Sequence, residues 1–267
     1  MPTADESVKK FEDWSKMQSP HFVMYADIEA IFSKPQNPNS TILQQHEPCA
    51  VGSYIVPHKD LTYPAQNVKF HEGRGCVEEF CRDLEQQCRD FYVFGKQNCN
   101  KPQQRTDMTE LIYETATECE YCKVEFRFVE KVRHHDHVSG EQIAVICQAC
   151  NSKIRQPIAY LPVFFHNLKN YDMHHLCLEE FSNMPHWTFK PIATTQERYI
   201  TLTAKFKIDR DAGNKPIFYE VRFIDLYQFL ATSLDNLSSN LDTAKKIYTV
   251  RPRNTYPVDN DILFKKG

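Results

Sequence analysis

Glycine and tryptophan are scarce in this chain, with seven and two residues among 267. That count excludes a collagen-like or glycine-rich low-complexity protein, and no repeat period or biased tract runs along the sequence. No apolar run approaches the ~18 residues that a membrane-crossing helix needs. The start, Met1-Pro-Thr-Ala-Asp-Glu-Ser7, lacks an apolar signal segment, so an intracellular, non-secreted protein with no membrane partner is expected. Excess positive charge is also missing, the formal net charge being −3. A nonspecific DNA coat needs a basic surface and is excluded. A cleft that meets phosphate through metal ions is acidic by necessity and is not.

What is present is 41% hydrophobic residues and ten cysteines. The length and apolar content fit one large packed domain, or one domain with an insert. In a reducing compartment, paired cysteines read as metal ligands rather than disulfides. Cys49, Cys76, Cys81, Cys88, Cys99 and Cys177 have no ligand spacing and read as small buried hydrophobes. The basic residues Lys245, Lys246, Arg251, Arg253, Lys265 and Lys266 read equally as a solvated tail or a phosphate contact.

Periodicity predicts a strand from His21 to Ala30, a loop over 33–48 and a strand from Ala50 to Val56. An amphipathic helix is predicted from Gly75 to Phe91, with Phe80, Leu84, Cys88 and Phe91 on one face. A polar linker over 95–107 and a short helix from Thr109 to Thr117 follow. Tyr160–Phe165 reads as a buried strand and Asp172–Phe181 as a helix. Tyr199–Lys207 and Ile217–Phe223 read as a hairpin turning through Asp209–Lys215. Ser233 to Leu241 reads as a helix with Ser233 as its N-cap. This order predicts a mixed α/β (α+β) sheet protein with a small metal module inserted between strands.

Three patches carry chemistry. Strand alternation points Asp27 and Glu29 the same way, and two carboxylates there can share a metal ion. Asp172 lies where the apolar strand ending at Phe165 turns toward a helix, with Asn167 and Tyr171 just before it. Such an edge collects ligand groups, and a tyrosine ring offers a surface for a base to stack on. Two metal ions over a phosphodiester usually want a fourth carboxylate; Asp225 is the only partial candidate. Between these patches, Cys119-x2-Cys122 and Cys147-x2-Cys150 have the spacing of a closed, tetrahedral structural Zn²⁺ site. They enclose His134-His135-Asp136-His137, and Asn151 follows the last cysteine. His166, His174 and His175 read as local polar contacts.

Phe22-Val-Met-Tyr-Ala-Asp27-Ile-Glu29 resembles the first exonuclease motif of family B DNA polymerases. Phe165-His-Asn167-Leu-Lys-Asn-Tyr171-Asp172 resembles the second. His46-Glu-Pro, Arg198-Tyr-Ile, Arg222-Phe-Ile-Asp225, Phe229-Leu230-Ala-Thr-Ser233-Leu234-Asp-Asn-Leu237 and Ile262-Leu-Phe-Lys-Lys-Gly267 resemble the protein-primed branch of Polinton/Maverick type. The resemblance covers nearly the whole chain from about residue 20. It implies an RNase H-like 3′–5′ proofreading exonuclease fold preceding a polymerase domain. It also implies that Asp27, Glu29 and Asp172 bind two Mg²⁺ or Mn²⁺ ions, and that Asn167 and Tyr171 hold a single-stranded DNA 3′ end. A terminal protein primer is a further implied partner, and the nucleus the location if the source is a eukaryotic element. The implied organisation is an extension over 1–20, exonuclease segments over 21–115 and 158–267, and a zinc-binding ββα insert over 116–157. The second segment is expected to be incomplete, because the third exonuclease motif, Tyr-x3-Asp, and the palm aspartates are missing. Leu226 stands where the family usually has serine after its aspartate.

The insert resembles the His-Me finger nucleases of the endonuclease VII type. That resemblance implies His135 as general base, with His134 and Asn151 holding a further Mg²⁺. His134 replaces the usual aspartate there. Three readings stay open at this point: a polymerase's exonuclease region, an independent endonuclease acting through His135, and a non-catalytic zinc and DNA-binding remnant.

Overall fold

A computed structural model describes residues 18–33, 44–154, 157–176, 184–195 and 198–240. The basic tail, Cys177, the end of the helix predicted to Phe181 and the motif closing at Gly267 lie outside these residues.

The chain is mixed α/β. Strands β1 (Phe22–Ser33), β2 (Gln45–Pro57) and β3 (Lys69–Glu72) precede helix α1 (Cys76–Asn98) and helix α2 (Asp107–Thr115). Strands β4 (Lys131–His135) and β5 (Gln142–Cys147) then lead into the short helix α3 (Gln148–Asn151). Next come β6 (Tyr160–Phe165), the short helix α4 (Asp172–His175), β7 (Trp187–Thr195), β8 (Arg198–Arg210), β9 (Pro216–Asp225) and α5 (Leu234–Ser239).

Seven strands form one sheet in the order β3-β2-β1-β6-β9-β8-β7. The pairs β1–β6 and β6–β9 are parallel, and antiparallel strands flank them on both sides. Helix α1 covers one face. Val77, Phe80, Leu84, Cys88 and Phe91 form its buried stripe and join the core cluster with Phe22, Met24, Ile28, Leu161, Val163 and Phe223. Phe22 stacks on Phe91 with ring centroids 4.1 Å apart. Gly95 is required where α1 crosses close to the chain, since a Cβ there would meet Ile158 Cγ1 at 2.8 Å. Glu85 on α1 accepts from Trp187 Nε1 at 2.8 Å and from Arg89 Nη2 at 2.6 Å, which ties the helix to β7.

Several boundaries differ from the sequence reading. The predicted loop over 33–48 is partly strand. β1 and β2 continue pairing past the sheet as a two-stranded arm out to Ser33 and Gln45, because each supplies the other's backbone partners. A register shift after Glu29 pairs Ala30 with Pro48, so Cys49 sits in a bulge where the proline is tolerated. α1 runs through Asn98, into the predicted linker. α2 starts earlier, at Asp107, because Thr106 caps it: Thr106 Oγ1 accepts from Thr109 N at 3.2 Å, and Thr109 Oγ1 accepts from Thr106 N at 2.9 Å. The edge strands β3 and β7 were not legible, being short or interrupted by Pro191. Ser233 does cap α5, accepting from Asn236 N at 3.2 Å.

Residues 117–154 gather around a small core cluster apart from the main one. The β4–β5 hairpin and α3 surround a small cluster of Cys119, Ala144, Ile146, Cys147, Cys150 and Ile154. The hairpin tip rests on the segment after α1, where Lys101 N donates to His137 O at 3.0 Å and Gln104 N to Gly140 O at 2.8 Å. Gly140 has φ +83°, and a Cβ there would lie 2.8 Å from Pro102 O, so only glycine fits.

Candidate active site

Alternation along β1 sends Met24, Ala26 and Ile28 into the core and Tyr25, Asp27 and Glu29 to the opposite face. Parallel pairing sets Tyr25 level with Phe164. β6 ends at Phe165, so Asp27 lies level with His166, at the carboxyl edge of the central strands. Ligand groups gather at such an edge in a parallel sheet.

The chain then turns through Asn167, which holds a left-handed conformation (φ 68°) that asparagine tolerates. Asp225, at the end of the neighbouring β9, braces this turn. Its buried carboxylate accepts from Asn167 N at 2.9 Å, Lys169 N at 3.1 Å and Tyr227 N at 2.9 Å. A carboxylate has about four acceptor sites, and these donors take three of them, so Asp225 acts as the clamp of the loop. The clamp sets Asp172 at the start of α4, where its side chain is 2% exposed.

Asp172 and Asp27 meet electrostatically. Burial, then the charge of Asp27, pushes the Asp172 carboxyl up to about 7, against N–H donation from Ile28. Solvent reaches Asp27 along the open face. Even so, loss of water around it, then the charge of Glu29, pushes it up to about 6. Tyr171 adjoins both sides of this cluster: burial, then the charges of Asp172 and Glu29, raises its phenol. Its hydroxyl lies 3.1 Å from His46 Nδ1, and His175 packs edge-on against its ring at 5.1 Å. Asp27, Glu29 and Asp172 thus share one region, all oxygen donors of the kind that suit Mg²⁺ or Mn²⁺. They are less tightly gathered than the cysteines described below.

A groove of about 310 Å³ opens from Asp27 across the face of the sheet opposite α1. Tyr25, Tyr54, Phe164, His166 and Leu226 line it. Tyr25 and Phe164 lie roughly parallel, with centroids 5.7 Å apart. His166 Nε2 donates to Thr232 O at 2.8 Å. Sequence reasoning missed this aromatic floor, and it named His46 only as part of the His46-Glu-Pro match, without a place beside Tyr171. Tyr25 shares the face of Asp27 by alternation, which was a usable signal. Nothing in the sequence placed Phe164 or Tyr54 beside it.

The four cysteines converge. The sulfurs of Cys119, Cys122, Cys147 and Cys150 all lie within 4.8 Å of one another, the one group among the described residues gathered closely enough to hold a metal ion. Cys119 Sγ accepts from Cys147 N at 3.3 Å, and Cys147 Sγ from Cys150 N at 3.4 Å. Burial opposes ionisation of Cys119, but backbone N–H donors outweigh it and hold the thiol at about 7, so a thiolate forms near neutral pH. Burial and the adjoining sulfurs push Cys150 well up. Four thiols at this spacing fit Zn²⁺.

The histidines of the insert divide. His135 is half-buried, with Nε2 3.3 Å from Lys101 O, and stacks on His137 at 4.7 Å. His134 turns inward, 4% exposed, and lines a cavity against His21 of the main sheet. Burial, then its histidine neighbours, pushes it down to about 4. Asn151 does not line that cavity. No protein-family model, curated protein or solved structure matches this chain.

Proposed function

We propose that this chain carries a 3′–5′ exonuclease region of a protein-primed family B DNA polymerase, acting on single-stranded 3′ ends of DNA. The observation that carries this reading is the convergence of Asp27 and Asp172 at the carboxyl edge of β1 and β6, beside an aromatic groove. The strand order β3-β2-β1-β6-β9, antiparallel then parallel, is what an RNase H-like sheet requires and supports the reading.

Asp27, Glu29 and Asp172 would hold two divalent ions, which when bound activate water and stabilise the leaving oxygen. The chain's own residues do the rest. The Asp225 clamp fixes the loop that bears Asp172. Tyr171 and Asn167 hold the terminal nucleotide, and Tyr25 and Phe164 give its neighbours a stacking floor. Leu226 lines the groove with apolar surface, where the family's serine would offer a hydroxyl. The closed cysteine site holds the insert together and takes no part in cleavage. DNA synthesis would belong to the polymerase domain that the resemblance implies.

Incubation with 3′-labelled single-stranded DNA and Mn²⁺ tests this. Release of mononucleotides, reduced by about 100-fold or more in Asp27→Ala and in Asp172→Ala (several kcal/mol of barrier), is the expected result. Retention of trimming in both variants overturns it. Internal cleavage lost only in His135→Ala would replace it with the endonuclease reading, and DNA binding without cleavage would replace it with the non-catalytic one.

A further inference from the structure

The two-stranded arm of β1 and β2 projects from the carboxyl edge of the sheet, beyond Asp27 and Glu29. Its side chains are open to solvent, Ile31 at 62% and Phe32 at 59% exposure, so core packing does not explain where they point.

The bulge at Cys49 aims them. Ala50 pairs with Glu29 and shares its face. In an unbroken strand Pro48 and His46 would follow on that face, since side chains repeat every second residue. The extra residue breaks this alternation: Pro48 pairs with Ala30, and His46 with Phe32. A one-residue slip turns every side chain beyond it to the other side. Bulges next to active sites re-aim side chains in this way.

Here the bulge delivers His46 to Tyr171. His46 Nδ1 lies 3.1 Å from the Tyr171 hydroxyl, across 125 residues of chain, and the ring centroids are 5.6 Å apart. Either group can donate in this hydrogen bond. Phe32 packs against His46 with centroids 4.5 Å apart, and His175 meets the Tyr171 ring edge-on at 5.1 Å. Four rings therefore run from the arm to the residue beside Asp172. Fixing one free side chain on binding costs roughly 3–10-fold in affinity. A hydrogen bond and flanking rings that hold Tyr171 beforehand avoid that cost.

We propose that His46 is a positioning residue of this site. Acting through Tyr171, it holds the phenol ring in the orientation that the terminal nucleotide of single-stranded DNA meets. The arm thereby becomes one wall of the binding site. The proposal rests on the exonuclease reading and adds a residue that the reading itself does not require.

Steady-state trimming of 3′-labelled single-stranded DNA by the full chain with Mn²⁺ tests it. His46 is exposed, so its substitution should leave the fold intact by circular dichroism. His46→Ala should raise KM roughly 3–10-fold and leave kcat within about twofold. His46→Asn, whose side chain sets a polar atom near the place of Nδ1, should recover most of the loss. His46→Ala in a Tyr171→Phe chain, which lacks the hydroxyl, should add less than about twofold. An unchanged KM in His46→Ala, or an equal rise in both backgrounds, overturns the proposal and leaves the exonuclease reading standing. Absence of trimming in the natural chain removes both.

Discussion

Asp172 is buried beside another acid, and its pH behaviour follows from that position. Its carboxyl is raised to about 7 in the folded chain, and that of Asp27 to about 6, against ~3.9 in an unfolded one. The folded state therefore holds protons that the unfolded state has released. Stability is full below pH ~4 and falls as pH rises through about 7. Asp172→Asn removes the charge, so without divalent ions it should raise the melting temperature at pH 8 by several degrees, ~1–3 kcal/mol. The gain should vanish near pH 4; a pH-independent difference in thermal melts would count against the burial argument. Mn²⁺ should reverse the order, raising the melting temperature of the natural chain and not of the variant, as a ligand confined to the folded state does. Asp225→Ala acts differently. It releases three backbone N–H groups, and loss of the clamp should lower both stability and 3′ trimming.

Among the elements, α1 was the most legible, because its Phe80, Leu84, Cys88 and Phe91 repeat has one period and one solution. Phe80 is fully buried between α1 and the sheet, and Phe80→Ala should cost ~3–5 kcal/mol in denaturant unfolding. β1 was equally plain by alternation. The arm beyond Glu29, β3 and β7 were not, because their strand character comes from a partner's backbone rather than from their own side chains. The turn joining the insert to the segment after α1 was also invisible. Gly140→Ala should loosen it by ~1–2 kcal/mol, through strain at positive φ and the contact with Pro102 O. Faster hydrogen exchange confined to residues 99–106 and 131–147 would show this.

At the scale of the molecule, the insert has a small apolar cluster of its own and depends on its cysteines. Zinc binding to such a unit is folding free energy. Cys119→Ser or strong chelation should therefore melt β4, β5 and α3 while α1 and its sheet persist, a split visible as two unfolding transitions. The sequence by itself determined the local chemistry: the paired Cys-x2-Cys spacings, the shared face of Asp27 and Glu29, the helical stripe of α1 and the cap at Ser233. Each of these depends on neighbours within a few residues. The tertiary structure alone decided the rest. It brought Asp172 to Asp27 through parallel pairing of β1 with β6, turned Asp225 into a clamp by ending β9 beside the Asn167 loop, and faced His134 toward His21. Those contacts join residues far apart in the chain, and their geometry is set by strand order and helix packing, which no local pattern encodes.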